Sequence, residues 1–154
     1  MPKKLTDYLN QQAIELDVDA SSKEEVLARL VDILVRNGVL PPQNTLLDSL
    51  VEREGLGSTG VGHGVAIPHA RSKEIQGFAI ALGRTREAVD FDAVDGQPTR
   101  IFFLLVGPEK DGNEHLVLLA KIARIMKDAR TREQLLTVGS ADEAMALFAQ
   151  RDAQ

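Results

Sequence analysis

Six consecutive apolar residues, Ile101-Phe102-Phe103-Leu104-Leu105-Val106, run up to Gly107-Pro108 without a polar interruption. A strand with one wet face alternates apolar and polar side chains, so this run reads as a strand buried on both faces. The chain must therefore supply covering elements on both sides of a sheet, and its flanks offer them. Ser22 with Glu25 makes a capping box that opens a helix whose Val26, Leu27, Leu30, Val31 and Leu34 recur at helical spacing. Asn37-Gly38 closes it. Pro41-Pro42 is expected to start a second amphipathic helix with Leu46, Leu47, Leu50 and Val51 inward, ending near Glu54-Gly55. In the last third, Leu116, Leu119, Ile122, Ala123 and Met126 form one helical stripe, and residues 131–138 a shorter helix. Ser140 with Glu143 caps a final helix carrying Ala144, Met145, Leu147 and Phe148.

Between the helical flanks, short strands are expected at 65–67 and 78–82, ahead of the 101–106 run. Val89, Phe91 and Val94 alternate loosely before an Asp95-Gly96 turn, which implies at least one antiparallel pair. The expected fold class is α/β, a three-layer α/β/α sandwich with a mixed central sheet covered by helices on both faces, in one domain over residues 1–154. A composition of 44% hydrophobic and 27% charged residues is that of a globular chain and argues against disorder. No apolar stretch approaches the roughly 18 residues of a spanning helix, so the protein is not expected to be membrane-embedded. The Met-Pro-Lys-Lys start is not followed by the apolar core of a secretion signal, which makes a cytoplasmic location the expectation. Zero cysteines exclude disulfides, thiolate metal sites and cysteine nucleophiles, and a net charge of −5 argues against general nucleic-acid binding.

The segment from Arg53 to Arg71 carries the chemistry: Arg-Glu-Gly-Leu-Gly-Ser-Thr-Gly-Val-Gly-His-Gly-Val-Ala-Ile-Pro-His-Ala-Arg. Gly55-Leu56-Gly57-Ser58-Thr59-Gly60 matches the dinucleotide fingerprint letter for letter, but that motif follows a strand and opens a helix. Here a helix precedes it, a proline-terminated strand follows, and Ile80 stands where an acidic residue would be needed. No Gly-Lys-Ser/Thr ends the run, which also removes a nucleotide-hydrolase phosphate loop. What the segment does deliver is His69, held behind Val65, Ala66, Ile67 and Pro68. Proline fixes its own φ and pushes Ile67 toward extended geometry, so the imidazole stands on a stiff strand end. A shared metal is disfavoured, because an extended 64–68 segment separates the His63 and His69 rings by roughly 20 Å. His63 by itself reads as an exposed turn residue.

Two more residues have both a bland and a chemical reading. His115 falls in the first turn of an expected helix behind Asn113, where the positive helix end encourages a neutral ring able to donate one N–H to a phosphoryl oxygen. Alone, it reads as a half-exposed surface histidine. Arg53, between two glutamates in a last helical turn, is alone a solvated charge that suits the helix dipole.

Taken together, Arg53-Glu54, the Gly57-Ser58-Thr59-Gly60 turn and Gly62-His63-Gly64-Val65-Ala66-Ile67-Pro68-His69 closely resemble the IIA component of the bacterial phosphoenolpyruvate-dependent phosphotransferase system, fructose/mannitol family. The resemblance covers nearly the whole chain. It implies that His69 is phosphorylated, on Nε2, that Arg53 contacts the phosphoryl group, and that His115 supports the ring or the phosphate. Ser58, Thr59 and Gly60 either add phosphate donors or only shape the turn, and His63 takes a variable position to which no role is assigned. The implied activity is that of a phosphotransferase component with a phosphohistidine intermediate, needing no cofactor and no metal, since phosphoryl transfer is mostly positioning and electrostatic stabilisation. The implied donor is a histidine phosphocarrier protein. The Gly-Ser-Thr-Gly turn and the 89–98 segment look like the nitrogen-regulatory type, whose members bind target proteins according to phosphorylation state. The alternative is a sugar-transport component passing phosphate to a IIB partner. A homodimer is left open.

Overall fold

The computed structural model describes residues 4–110 and 113–153. Its helices are α1 (Lys23–Arg36), α2 (Leu46–Gly55), α3 (Glu114–Lys127), α4 (Ala129–Thr137) and α5 (Ala141–Asp152). Its strands are β1 (Ile14–Val18), β2 (Gly60–Gly62), β3 (Val65–Ala66), β4 (His69–Ser72), β5 (Ala79–Val89) and β6 (Thr99–Pro108). Two short 3₁₀ turns, Leu5–Asp7 and Gln11–Ala13, precede β1.

The sheet is mixed and runs β1-β5-β6-β3-β2, with β4 also paired to β6. The apolar run does lie at its centre: residues 101–106 are all buried, with β5 antiparallel on one side and β3 and β4 parallel on the other. Register assigns the two faces. Leu82 sits opposite Phe103 and Gly83 opposite Phe102, and neighbours along a strand point to opposite sides. Phe103 meets Phe148 of α5 edge-on at 5.7 Å, whereas a Cβ on Gly83 would lie 2.9 Å from Leu30 Cδ2 of α1. Helices therefore cover both faces, α1 on one and α5 on the other, as the six apolar residues require. Among the described residues no helix is long and apolar enough to cross a membrane.

The capping boxes form as the sequence dictates: Ser22 Oγ accepts from Glu25 N–H, and Ser140 Oγ accepts from Glu143 N–H. Gly38 follows α1 at φ 74°, the left-handed conformation that ends a helix cheaply. Several expectations need correction. Pro41-Pro42 does not start α2; Asn44 Nδ2 donates to the Pro41 carbonyl while its Oδ1 accepts from Leu46 N–H, so this side chain builds a bend and the helix begins at Leu46. Val51 is exposed, because Leu46, Leu50 and Glu54 set the inward face of α2. The buried stripe of α3 is His115, Leu118, Ile122, Ile125 and Met126. Leu116 is 68% exposed and Ala123 faces solvent. Val94 is 78% exposed in a loop, and the 78–82 strand extends to Val89.

Three strands, β1, β2 and β4, escaped the sequence reading. β1, Ile-Glu-Leu-Asp-Val, has the plain alternation of a strand and pairs parallel with β5. Arg84 of β5 locks that edge, donating to the carbonyls of Leu16, Leu135 and Val138. β2 and β3 form a hairpin whose turn residues His63 and Gly64 have φ of 58° and 78°, both positive as a type I′ turn needs. β4 continues the line of β3 beyond Pro68.

Candidate active site

Pro68 interrupts an edge path without shifting it. Ala66 pairs with Phe102 and His69 with Leu105, the same offset on either side of the proline. Proline has no N–H to give a ladder, which an edge position tolerates; its carbonyl accepts from Leu105 N–H at 2.9 Å. His69 thus opens β4 on the face shared by Leu105 and Phe103, and alternation turns Arg71 to the same side.

The His69 ring is fixed by its own strand. Its Nδ1 lies 2.7 Å from the Ile67 carbonyl oxygen, and a carbonyl can only accept, so the proton sits on Nδ1 and Nε2 keeps its lone pair. Burial pushes the His69 pKa below its ordinary value; the Ile67 hydrogen bond opposes this, the Arg53 charge adds to it, and the Glu54 charge opposes it. The balance favours a neutral ring at neutral pH.

His69 lines a cavity of about 360 Å³ with Ser49, Glu52 and Arg53 of α2, Leu56 just beyond that helix, Ala70 and Arg71 of β4, and His115 of α3. Arg53 Nη1 donates to the Gly57 carbonyl at 3.0 Å, bending the guanidinium back over the end of its helix. His115 is 7% exposed, and its ring stands edge-on to His69 at 5.5 Å and tilted against Phe78 at 6.0 Å. His115 is therefore a buried ring and not a half-exposed surface one. Asn113 holds the N-cap position without a side-chain capping bond, and Asp111 and Gly112 lie outside the described residues.

The structure gathers Arg53, His69 and His115 around one cavity and leaves Ser58, Thr59 and Gly60 out of its lining. Ser58 Oγ donates to the Phe91 carbonyl and accepts from Gly60 N–H, and Thr59 donates both its N–H and its hydroxyl to the buried Glu54 carboxylate. These hydroxyls build the turn. Gly60 has its own reason to be glycine, since a Cβ there would meet the Ala93 backbone at 2.9 Å. His63 is exposed at the hairpin tip, its N–H bonded to Asp95. Among the described residues no group of three or more His, Cys, Asp or Glu side chains is placed to hold a metal ion. Sequence reasoning missed Arg71, although its position two residues after His69 in a strand was a usable signal.

The site thus sets a half-buried histidine with one committed nitrogen beside two arginines at a sheet edge. Residues 7–151 match the family model "Phosphoenolpyruvate-dependent sugar phosphotransferase system, EIIA 2", and the chain belongs to this family. It is 38% identical over 127 residues to a nitrogen regulatory protein of Pseudomonas aeruginosa, covering 82% of each chain. It is 33% identical over 149 residues to a fructose-specific EIIABC component of Bacillus subtilis, spanning 97% of this chain and about a quarter (24%) of that protein. The crystal structure of nitrogen regulatory protein IIA-Ntr from Neisseria meningitidis superposes with a TM-score of 0.85 at 39% identity, covering 92% of this chain and 97% of that one.

Proposed function

We propose that the protein accepts a phosphoryl group on Nε2 of His69 from a histidine phosphocarrier protein, and that it serves as a nitrogen-type regulatory IIA protein whose binding to target proteins follows its phosphorylation state. The observation that carries this reading is the Nδ1 hydrogen bond to Ile67, which leaves Nε2 as the reactive atom beside Arg53 and His115. In the transfer, the Nε2 lone pair forms the new N–P bond as the donor's N–P bond breaks, and the released electron pair stays on the donor imidazole. Arg53 presents forked donors to the phosphoryl oxygens, Arg71 adds a second cation on the same side, and His115 supports the ring or the phosphate from behind. The regulatory reading rests on likeness to the nitrogen regulatory proteins of Pseudomonas aeruginosa and Neisseria meningitidis. Likeness to the fructose-specific component keeps a second reading, transfer onward to a IIB partner.

Incubation with phosphoenolpyruvate, the first enzyme of the system and the carrier is expected to add one acid-labile phosphate, absent in His69→Ala. An unchanged mass, or labelling that survives His69→Ala, overturns the reading. Pull-downs with wild type, His69→Ala and His69→Asp are expected to recover different partners if phosphorylation is a switch. Identical partners would remove the regulatory part.

A further inference from the structure

Glu54 stands next to Arg53 in sequence yet lines no part of the cavity. Its carboxylate is buried at 9% exposure and accepts from three donors: Thr59 N–H, the Thr59 hydroxyl and Lys23 Nζ, the last at 3.0 Å. Lys23 comes from the first turn of α1, its Nζ 4.8 Å above the Phe91 ring and 3.3 Å from Asp92. A buried carboxylate is kept only with its charge paired and its lone pairs engaged. This one is engaged with the turn that leads to His69.

The connection continues past Thr59. The Thr59 carbonyl accepts from Ile67 N–H at 3.0 Å, and the Ile67 carbonyl in turn accepts from His69 Nδ1–H at 2.7 Å. Ile67 is thereby clamped on both flanks, with the nucleophile on one side and the glycine turn on the other. The orientation of the carbonyl that fixes the tautomer depends on where Thr59 sits, and Thr59 is held by Glu54.

We propose that Lys23 and Glu54 are positioning residues that set the tautomer and orientation of the His69 ring through Thr59 and Ile67, an inference that rests on His69 being the phosphoryl acceptor. Neither residue touches the phosphate. Glu54→Gln keeps the size of the side chain but leaves one terminal acceptor in place of two and aims an amide N–H₂ at donors. Lys23→Met keeps the stem over Phe91 and removes the ammonium.

Nitrogen-15 NMR of the imidazoles distinguishes Nδ1–H from Nε2–H rings in the unphosphorylated full chain, before any transfer. Above the imidazole titration range, wild-type His69 is expected in the Nδ1–H form. Both variants are expected to gain an Nε2–H fraction and to take up phosphate about tenfold more slowly, by analogy with the loss when groups that orient metal-binding histidines are removed. A His69 signature unchanged from wild type in both variants overturns the relay, as does a wild-type ring in the Nε2–H form. Lys23→Met decides alone if Glu54→Gln does not fold, because the Glu54 carboxylate then keeps both of its Thr59 donors and the stem stays over Phe91. A wild-type protein that shows the Nδ1–H ring but takes up no phosphate removes the proposed function and leaves the relay standing.

Discussion

The proposed acceptor role requires a His69 ring that is neutral and stays held while it attacks. Burial lowers its pKa from the ordinary 6.5, so between the folded-state value and 6.5 the unfolded chain binds more protons than the folded one. The associated stability is complete above 6.5 and is lost as pH falls through the folded-state value. Denaturant unfolding of wild type and His69→Ala, measured on either side of that window, is expected to show the wild type losing more stability on acidification. The acid limb of phosphate uptake is expected below the ordinary imidazole range. Tyr8, the one tyrosine of the chain, offers a second residue-scale check. Burial first, and then its hydrogen bond to Glu114 at 2.6 Å, push its phenol up to about 12. That contribution is present below the ordinary 10.0 and is lost as pH rises toward about 12. An absorbance titration should find the late ionisation, and Tyr8→Phe should cost about 1 kcal/mol near neutral pH.

At the scale of elements, the close approaches are the sensitive points. A Cβ on Gly107, near the end of β6, would run into the Phe78 ring, which packs against His115. Gly107→Ala is expected to cost about 1–3 kcal/mol by overpacking, and to slow phosphate uptake because the ring displaced is a neighbour of His115. Thermal unfolding and labelling rates measure the two effects separately. Ser140→Ala, which removes the α5 cap and lines no part of the cavity, should cost about 1 kcal/mol and leave the labelling rate unchanged. Caps and the 101–106 strand were legible because each is decided within a few residues. The inward face of α3 was not. Leu116 and Leu119 satisfy helical spacing as well as Leu118 and Ile122 do, and only the direction from which β6 and the neighbouring helices meet α3 chooses between them.

For the whole molecule, one cluster of buried side chains runs from Leu5 to Phe148 and joins both helix layers to the sheet. Phe103, fully buried against Phe148, is its strongest single test. Phe103→Ala is expected to cost about 3–5 kcal/mol, a large share of the roughly 5–15 kcal/mol that holds a typical domain together. A denaturant midpoint that falls with an unchanged slope would report it.

The residues of the chain, taken by themselves, settled the buried strand, the capped helices, the α/β class and the histidine behind its proline, because these depend on side-chain type and short spacings. Tertiary structure alone decided that His115 meets His69 and Arg53, that the Ser58 hydroxyl turns inward to Phe91, and that β1 pairs with β5. Those outcomes depend on hydrogen bonds and packing between segments tens of residues apart, and no local pattern encodes which donor will find which acceptor once the sheet has closed around its core.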